Sequence, residues 1–202
     1  MGKRVYISAD YALNDGDRSV VDELHKWGDD NLHKVDYCDT ARVASGSVSK
    51  NLDCCPCDLK LEFNRQINAS SAVIFVIGDK TASRSAGCSC KRLSEGSGCS
   101  CTPYKQNANG AITCKVSSVS DVGPNDDVGN INSYSYLRHE FEQAKKKKKT
   151  IIIVYNSLNR QASWLPPYMS DYKESAHPFW KHDARGNKVG DYSYIKKVLG
   201  YE

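Results

Sequence analysis

The chain has 202 residues, nine cysteines and a formal net charge of +4. Its apolar segments are too sparse for two separate cores, so we expect one domain over residues 1–202. No stretch reaches the roughly 20 apolar residues of a membrane span, and the first apolar run is too short for a signal peptide. These features predict a cytoplasmic protein without a membrane partner. Aromatic and basic residues do not interleave, which argues against a nucleic-acid partner.

Segments with strand and helix patterns alternate along the chain. Strands are predicted at residues 5–7, 35–38, 72–77 and 150–155, and the last two lack polar alternation, as central parallel strands do. Helices are predicted between them from three apolar stripes, formed by Val20, Val21, Leu24 and Trp27, by Leu59, Phe63 and Ile67, and by Leu137, Phe141 and Ala144. Ser19 is placed to cap the first of these helices. The alternation predicts an α/β fold with a doubly wound parallel sheet.

Two regions depart from this alternation. Residues at about 85–133 are rich in Gly, Ser, Asn, Asp and Cys and are far longer than a normal connection, which predicts an insertion or a lid. An irregular C-terminal extension is expected at about 157–202, with a closing helix at residues 192–199. In open parallel sheets, ligands bind outside the carboxyl ends of the strands, so function is expected in the loops after Ile7, Cys38 and Ile77.

The residues around Glu140 carry the main candidate site. A spacing of four places Tyr136 and Glu140 on one helical face, beside the apolar stripe of the same helix. Glu140 has Gln143 and Ala144 where a helical ion-pair partner would stand, whereas Glu142 has cations on both sides. A carboxylate at the margin of a core, without a helical cation, either caps a local hydrogen-bond network or acts on a ligand. Spacing alone leaves both alternatives open.

Several common catalytic signatures are absent from the sequence. It contains no complete Gly-x-Gly-x-x-Gly, no phosphate-binding loop ending in Gly-Lys-Ser/Thr, no Gly-x-Ser-x-Gly and no His-Glu-x-x-His. Dehydrogenase, nucleoside triphosphatase and serine hydrolase functions therefore lose most of their support.

Three motifs, taken in order, resemble a known family. They are Lys-Arg-Val-Tyr-Ile-Ser at residues 3–8, Ala-Val-Ile-Phe-Val-Ile-Gly at 72–78 running to Arg84, and Tyr-Leu-Arg-His-Glu at 136–140 before a lysine-rich helix end and an isoleucine strand. Together they resemble the TIR-like domains of the Thoeris anti-phage defence system, the ThsB type. The resemblance covers residues 3–156 apart from the insertion, and it implies a flavodoxin-like fold.

The resemblance also implies an activity. It implies an enzyme that senses phage infection, cleaves NAD as its substrate at the nicotinamide bond, and releases a cyclic or conjugated ADP-ribose messenger for a separate effector. Glu140 is the implied catalytic residue, at the end of an aromatic-x-x-x-Glu motif that begins here with Tyr136 instead of the usual Trp. Candidate nucleotide contacts are Ser8, Asp10, Arg84 and Tyr136. The alternatives are that Ser8 and Asp10 only cap a turn and that Arg84 pairs with a surface carboxylate. Self-association is a further expectation.

Cysteine pairs are the second unusual feature of the sequence. Four cysteines in the insertion form two Cys-x-Cys pairs, Cys88 with Cys90 and Cys99 with Cys101. Four thiolates could close a tetrahedral zinc site and order a segment that lacks its own core. Cys-x-Cys is a less usual zinc clamp than Cys-x-x-Cys, so free or redox-active thiols are the default interpretation and no metal ligand is assigned.

Two functions of other classes compete with the enzyme. The same fold could serve as a non-catalytic interaction module that binds itself or a partner, or as a nucleotide sensor without turnover. The interaction module predicts no nicotinamide release, and the sensor predicts saturable ligand binding without product.

Overall fold

The computed structural model describes residues 2–11, 16–30, 34–39, 55–83, 104–106, 112–114 and 135–201. Its strands are β1 Lys3–Ser8, β2 Val35–Asp39, β3 Ala72–Ile77, β4 Tyr104–Gln106, β5 Ile112–Cys114, β6 Thr150–Tyr155, β7 His177–Pro178, β8 Trp180–His182 and β9 Lys188–Gly190. Its helices are α1 Arg18–Gly28, α2 Cys55–Ala69, α3 Tyr136–Lys146 and α4 Tyr192–Val198, with short 3-10 turns at Thr81–Ser83, Ala162–Trp164 and Pro167–Tyr172. None of the helices in these ranges is both long and apolar enough to cross a membrane.

Five parallel strands form the main sheet, in the order β2-β1-β3-β6-β7. Every residue of β3 is buried, because the sheet is covered on both faces. The predicted doubly wound α/β fold is confirmed. Inside the predicted insertion, β4 and β5 pair with each other as a separate antiparallel ribbon.

The two faces of the sheet have separate cores, and the side chains of β1 alternate between them. Val5 and Ile7 belong to the core beneath α1 and α4. Tyr6 lies in the other core, with buried residues of α2 and α3. The single strand β1 therefore supplies side chains to both layers, which is why it positions so many of the groups described below.

Helix α3 begins and ends with recognisable signals. The Ser135 side chain accepts a hydrogen bond of 3.3 Å from the backbone N–H of Arg138, as an N-cap does. Lys145 and Lys146 occupy the last turn, where cations complement the helix dipole. The helix ends at Lys146, and Lys148, two residues later, has a left-handed φ of 51°. The predicted helix before β6 is confirmed.

Helix α1 begins differently from the prediction. Its N-cap is Asp17, and Ser19 lies within the first turn, exposed to solvent. Asp17 is fixed as the cap residue by the backbone, since its N–H donates to the Asp10 carbonyl over 2.7 Å and its carbonyl accepts from the Val20 N–H over 3.1 Å. The prediction that Ser19 caps this helix is therefore wrong.

The segment after Tyr155 has more regular structure than its sequence pattern predicts. It adds β7 to the main sheet, folds β8 and β9 into a hairpin, and closes with α4, which confirms the predicted closing helix. Phe179 and Trp180 are buried in the same core as α1. Aromatic packing of this kind has no simple period, so it leaves no strand or helix signal in the sequence.

Gly190 allows the hairpin to pack against α1. A Cβ built at this buried position would overlap the Trp27 ring, at 2.7 Å from Cη2, and would lie 3.1 Å from Cε1 of Phe179. The Trp27 and Phe179 rings are themselves stacked, with centroids 5.2 Å apart. Neither ring can move away without disturbing the core.

We therefore expect Gly190→Ala to destabilise the protein by about 1–3 kcal/mol, because overpacking forces side chains from their preferred positions. Urea denaturation gives the free energy of unfolding. The exposed His182, in the same hairpin, is the control, and His182→Ala should change that free energy by less than about 0.5 kcal/mol. Equal effects of the two substitutions would contradict the described packing.

Candidate functional site

The Glu140 carboxyl is held by two side chains of the central strand β1. The Tyr6 hydroxyl donates a hydrogen bond to Oε1, and the Ser8 hydroxyl donates one to Oε2. Tyr6 and Ser8 are two residues apart, so both face α3. The sequence left open whether Glu140 caps a hydrogen-bond network, and the structure shows that it does.

All three members of this network are buried. The exposed fraction is 5% for Glu140 and 1% for each of Tyr6 and Ser8. Burial disfavours the charged carboxylate and raises the pKa of Glu140 to about 7, and the hydrogen bonds from Ser8 and Tyr6 oppose this rise. Glu140 therefore changes charge near neutral pH, where a carboxyl group with an ordinary pKa would already be ionised.

Aromatic and polar side chains of α2 and α3 adjoin the network. Tyr136, one turn before Glu140, is half-buried and meets Phe63 edge to face, with ring centroids 5.3 Å apart. His139 places Nε2 3.0 Å from Oδ1 of the buried Asn64. The Tyr136 ring and the Glu140 carboxyl are thus on one helix, as the spacing predicts.

A second buried carboxyl, that of Asp17, lies at the start of α1 on the other face of the sheet. Its Oδ1 accepts a hydrogen bond of 2.9 Å from Nδ2 of Asn156, and Oδ1 of Asn156 accepts one of 2.8 Å from the Trp180 indole. Burial raises the pKa of Asp17 to about 6. A Cβ at Gly78 would lie only 2.6 Å from Asp17 Oδ1, so glycine permits this close approach.

Asp17 therefore joins the loop after β1 to the ends of β3 and β6 and to the C-terminal hairpin. The sequence pattern does not reveal this role, because Asp17 stands in a polar stretch with no helical or strand period. Its position just before the amphipathic run of α1 was the available signal, since aspartate is a preferred cap residue.

The remaining predicted site residues have different surroundings. Asp10 is half-buried, and its charge contributes to the raised pKa of Asp17. Ser8 has its hydroxyl on Glu140, inside the protein. Arg84 lies outside the described residues, as do Cys88, Cys90, Cys99 and Cys101. Among the side chains that the structure describes, no three His, Cys, Asp or Glu residues gather as metal ligands would.

The carboxyl end of β2 carries a further buried polar pair. Asp39, the last residue of this strand, is fully buried, and its Oδ2 lies 2.5 Å from Nε2 of His25 on α1. The Cα register pairs Asp39 with Ile7, so both side chains lie on the α1 face. This contact fixes α1 to the edge of the sheet.

In comparisons with known proteins, no family description fits the chain and no curated protein is similar to it.

The raised pKa of Glu140 predicts a pH-dependent contribution to stability. The unfolded chain releases the Glu140 proton near its ordinary pKa of 4.5, while the folded protein holds it up to about 7. The stability contributed by the neutral carboxyl is therefore complete below about pH 4.5 and is lost as the pH rises through about 7. The loss amounts to roughly 3 kcal/mol at most.

Glu140→Gln should not lose this stability, because an amide does not ionise. Urea denaturation of both proteins at pH 5 and pH 8 measures the difference, and the unfolding free energy of the wild type should fall relative to that of the variant. Glu142→Gln, on the same helix, is the control and should keep the wild-type dependence. Parallel behaviour of the wild type and Glu140→Gln would show that Glu140 is not a buried neutral acid.

Proposed function

We propose that this chain is a TIR-like, NAD-cleaving signalling enzyme with a flavodoxin-like fold, and that Glu140 is its essential carboxylate. The observation that carries the proposal is the buried Glu140 carboxyl, held where β1 ends. The strand order supports the fold, because β2-β1-β3-β6-β7 is the order 2-1-3-4-5 of the flavodoxin type when the main-sheet strands are counted. The order of the sequence motifs supports the reaction.

The proposed reaction breaks the bond between the nicotinamide nitrogen and C1′ of the ribose. Nicotinamide leaves with the bonding electron pair, and positive charge builds on the ribose. A nearby carboxylate stabilises this charge and orients the ribose through its hydroxyl groups. Because nicotinamide is already a good leaving group, no general acid is needed, and one carboxylate is sufficient.

The nucleophile that bonds to C1′ determines the product. Water gives ADP-ribose after it loses a proton, an adenine nitrogen of the same molecule gives a cyclic product, and another small molecule gives a conjugate. A cyclic or conjugated product would act as the messenger for a separate effector, and phage infection would be the trigger. We propose in addition that the protein is cytoplasmic and associates with itself.

The surroundings of Glu140 suit this chemistry. Tyr136, which is half-buried and one turn earlier on α3, is a candidate to stack its ring on the nucleotide, and Asp10 and Arg84 are candidate contacts to the ribose and phosphates. A carboxyl with a pKa of about 7 is partly ionised at neutral pH, so the rate should rise as the pH increases through that value. An apolar enclosure also strengthens the attraction between a carboxylate and a cationic ribose.

We expect Glu140→Gln to lower nicotinamide release by at least about 100-fold, because the amide keeps the shape of the side chain but not its charge. The purified protein is incubated with NAD, alone and with extract of phage-infected cells, and nicotinamide and ADP-ribose products are measured by mass spectrometry. Glu142→Gln, which changes a charge on the same helix outside the network, should retain wild-type release. Activity that survives Glu140→Gln would contradict the assignment.

The deep burial of Glu140 favours a second candidate, a non-catalytic interaction or nucleotide-sensing module in which the network only joins β1 to α3. Both carboxyl oxygens already have donors inside the protein. This candidate predicts no nicotinamide release with or without the infected extract. Self-association that Glu140→Gln leaves intact would support an interaction module, and saturable nucleotide binding without product would support a sensor.

A further inference from the structure

The hydroxyl groups of Tyr6 and Ser8 contact Glu140 from one strand, yet neither is accessible from outside. Each residue is 1% exposed, and each hydroxyl bonds a different oxygen of the same carboxyl. A ligand that reached Glu140 would therefore not need to touch either hydroxyl. Any effect of these hydroxyls on the proposed reaction would pass through Glu140.

The two hydrogen bonds also fix the plane of the carboxyl. One bond would leave the group free to rotate, whereas donors on both oxygens hold it in one orientation. Tyr6 and Ser8 are in a central strand of the sheet, flanked by β2 and β3, so their own positions are rigid. Catalytic groups gain from such support because small errors in orientation lower the rate strongly.

Hydroxyl groups are suitable partners for a carboxyl that changes its charge. A hydroxyl can donate to the carboxylate and can rotate to accept from the neutral acid, so the network remains satisfied in both forms. A cationic partner would instead hold the carboxylate permanently ionised. The neutral donors only partly offset the effect of burial on Glu140.

Other titratable side chains lie on the elements around this network. Tyr168, in the 3-10 turn at Pro167–Tyr172, is close enough for the Glu140 charge to contribute to its raised pKa. Burial raises the pKa of Glu140, and the hydrogen bonds from Ser8 and Tyr6 lower it. Among the described residues, further titratable groups of the same layer include Cys38, Glu62, Tyr136, Arg138, His139, Glu142, Tyr155 and Tyr172.

We propose that Tyr6 and Ser8 are positioning residues for Glu140, and that they hold its carboxyl in the orientation and the ionised form that NAD cleavage requires. The inference rests on the proposed function and extends it to two residues that do not touch the substrate. Tyr6 is the new assignment, since the sequence motif drew attention to Ser8 as a nucleotide contact. The carboxylate form is stabilised by the two hydroxyl donors, so removing either donor favours the neutral acid.

Tyr6→Phe and Ser8→Ala test this inference by deleting one hydroxyl each. The chain is labelled with ¹³C at the glutamate carboxyl carbons, and the Glu140 signal is assigned by its absence in Glu140→Gln. We expect each deletion to move the Glu140 titration to higher pH by about one unit. Tyr37→Phe is the matched control, because the Tyr37 hydroxyl is buried in the other core and has no hydrogen-bond partner among the described residues. This substitution should leave the titration unchanged.

The pH profile of nicotinamide release supplies the second measurement. A shift of one unit lowers the ionised fraction of Glu140 at pH 7 by about fivefold, so kcat/KM should fall by that factor and recover at higher pH. General damage to the fold would instead lower kcat/KM at every pH without moving the acidic limb. Tyr37→Phe should keep the wild-type profile.

The titration tests the positioning role of Tyr6 and Ser8, and the NAD assay tests the proposed enzyme. An unchanged Glu140 titration in both Tyr6→Phe and Ser8→Ala would overturn the inference, whatever the NAD assay gives. A shifted titration in a wild-type protein that releases no nicotinamide under any condition would refute the proposed enzyme. The same result would also contradict the catalytic part of the inference. Shifts in both the titration and the acidic limb support it.

Discussion

The link between β1 and α3 through the Glu140 carboxyl is the constraint on which the candidate site depends. A buried carboxyl must be neutral or fully hydrogen-bonded, because transfer of its charge from water is costly. The chain satisfies this requirement with Tyr6 and Ser8, two side chains on the same face of a strand that also builds the opposite core. Changing the register of β1 by one residue would turn both hydroxyls away from Glu140.

The same principle applies to Asp17 on the other face of the sheet. Its described hydrogen-bond partner is the amide of Asn156, which is in turn held by the Trp180 indole. Here the carboxyl joins the start of α1 to the end of β6 and to the C-terminal hairpin. The two networks therefore connect segments that are distant in the sequence, and each does so where strands of the parallel sheet end.

Much of the fold was predictable because it follows from short-range patterns. The uninterrupted apolar runs of β3 and β6 predict buried strands, and the apolar stripe of α3 predicts an amphipathic helix. The structure confirms the two strands and the helix. The start of α1 was not predictable in detail, since Asp17 and Ser19 are both good cap residues and only the hydrogen bond from the Asp17 N–H to Asp10 distinguishes them. The C-terminal hairpin depends on contacts between Trp27, Phe179 and Gly190, which have no period.

At the candidate site, even less could be predicted from short-range sequence patterns. The sequence identified Glu140 by the absence of a helical cation, which is a local property of α3. It could not identify Tyr6, because the contact joins residues 134 positions apart and requires the order of strands to be known. Ser8 entered the prediction through its place at the end of a strand, but its partner proved to be a side chain of the protein. Sequence spacing thus locates a candidate group, whereas tertiary contacts determine its hydrogen-bond partners.

The type of partner, and not burial alone, determines how such a carboxyl behaves. A buried carboxylate next to an arginine is ionised at all physiological pH values, and one in a purely apolar cavity is neutral. Glu140 lies between these cases, because burial raises its pKa to about 7 and the Ser8 and Tyr6 hydroxyls limit the rise. Asp17, with an amide donor and a pKa of about 6, lies between them as well. Neutral donors therefore give this fold two carboxyls that stay inside the protein and still change charge close to neutral pH.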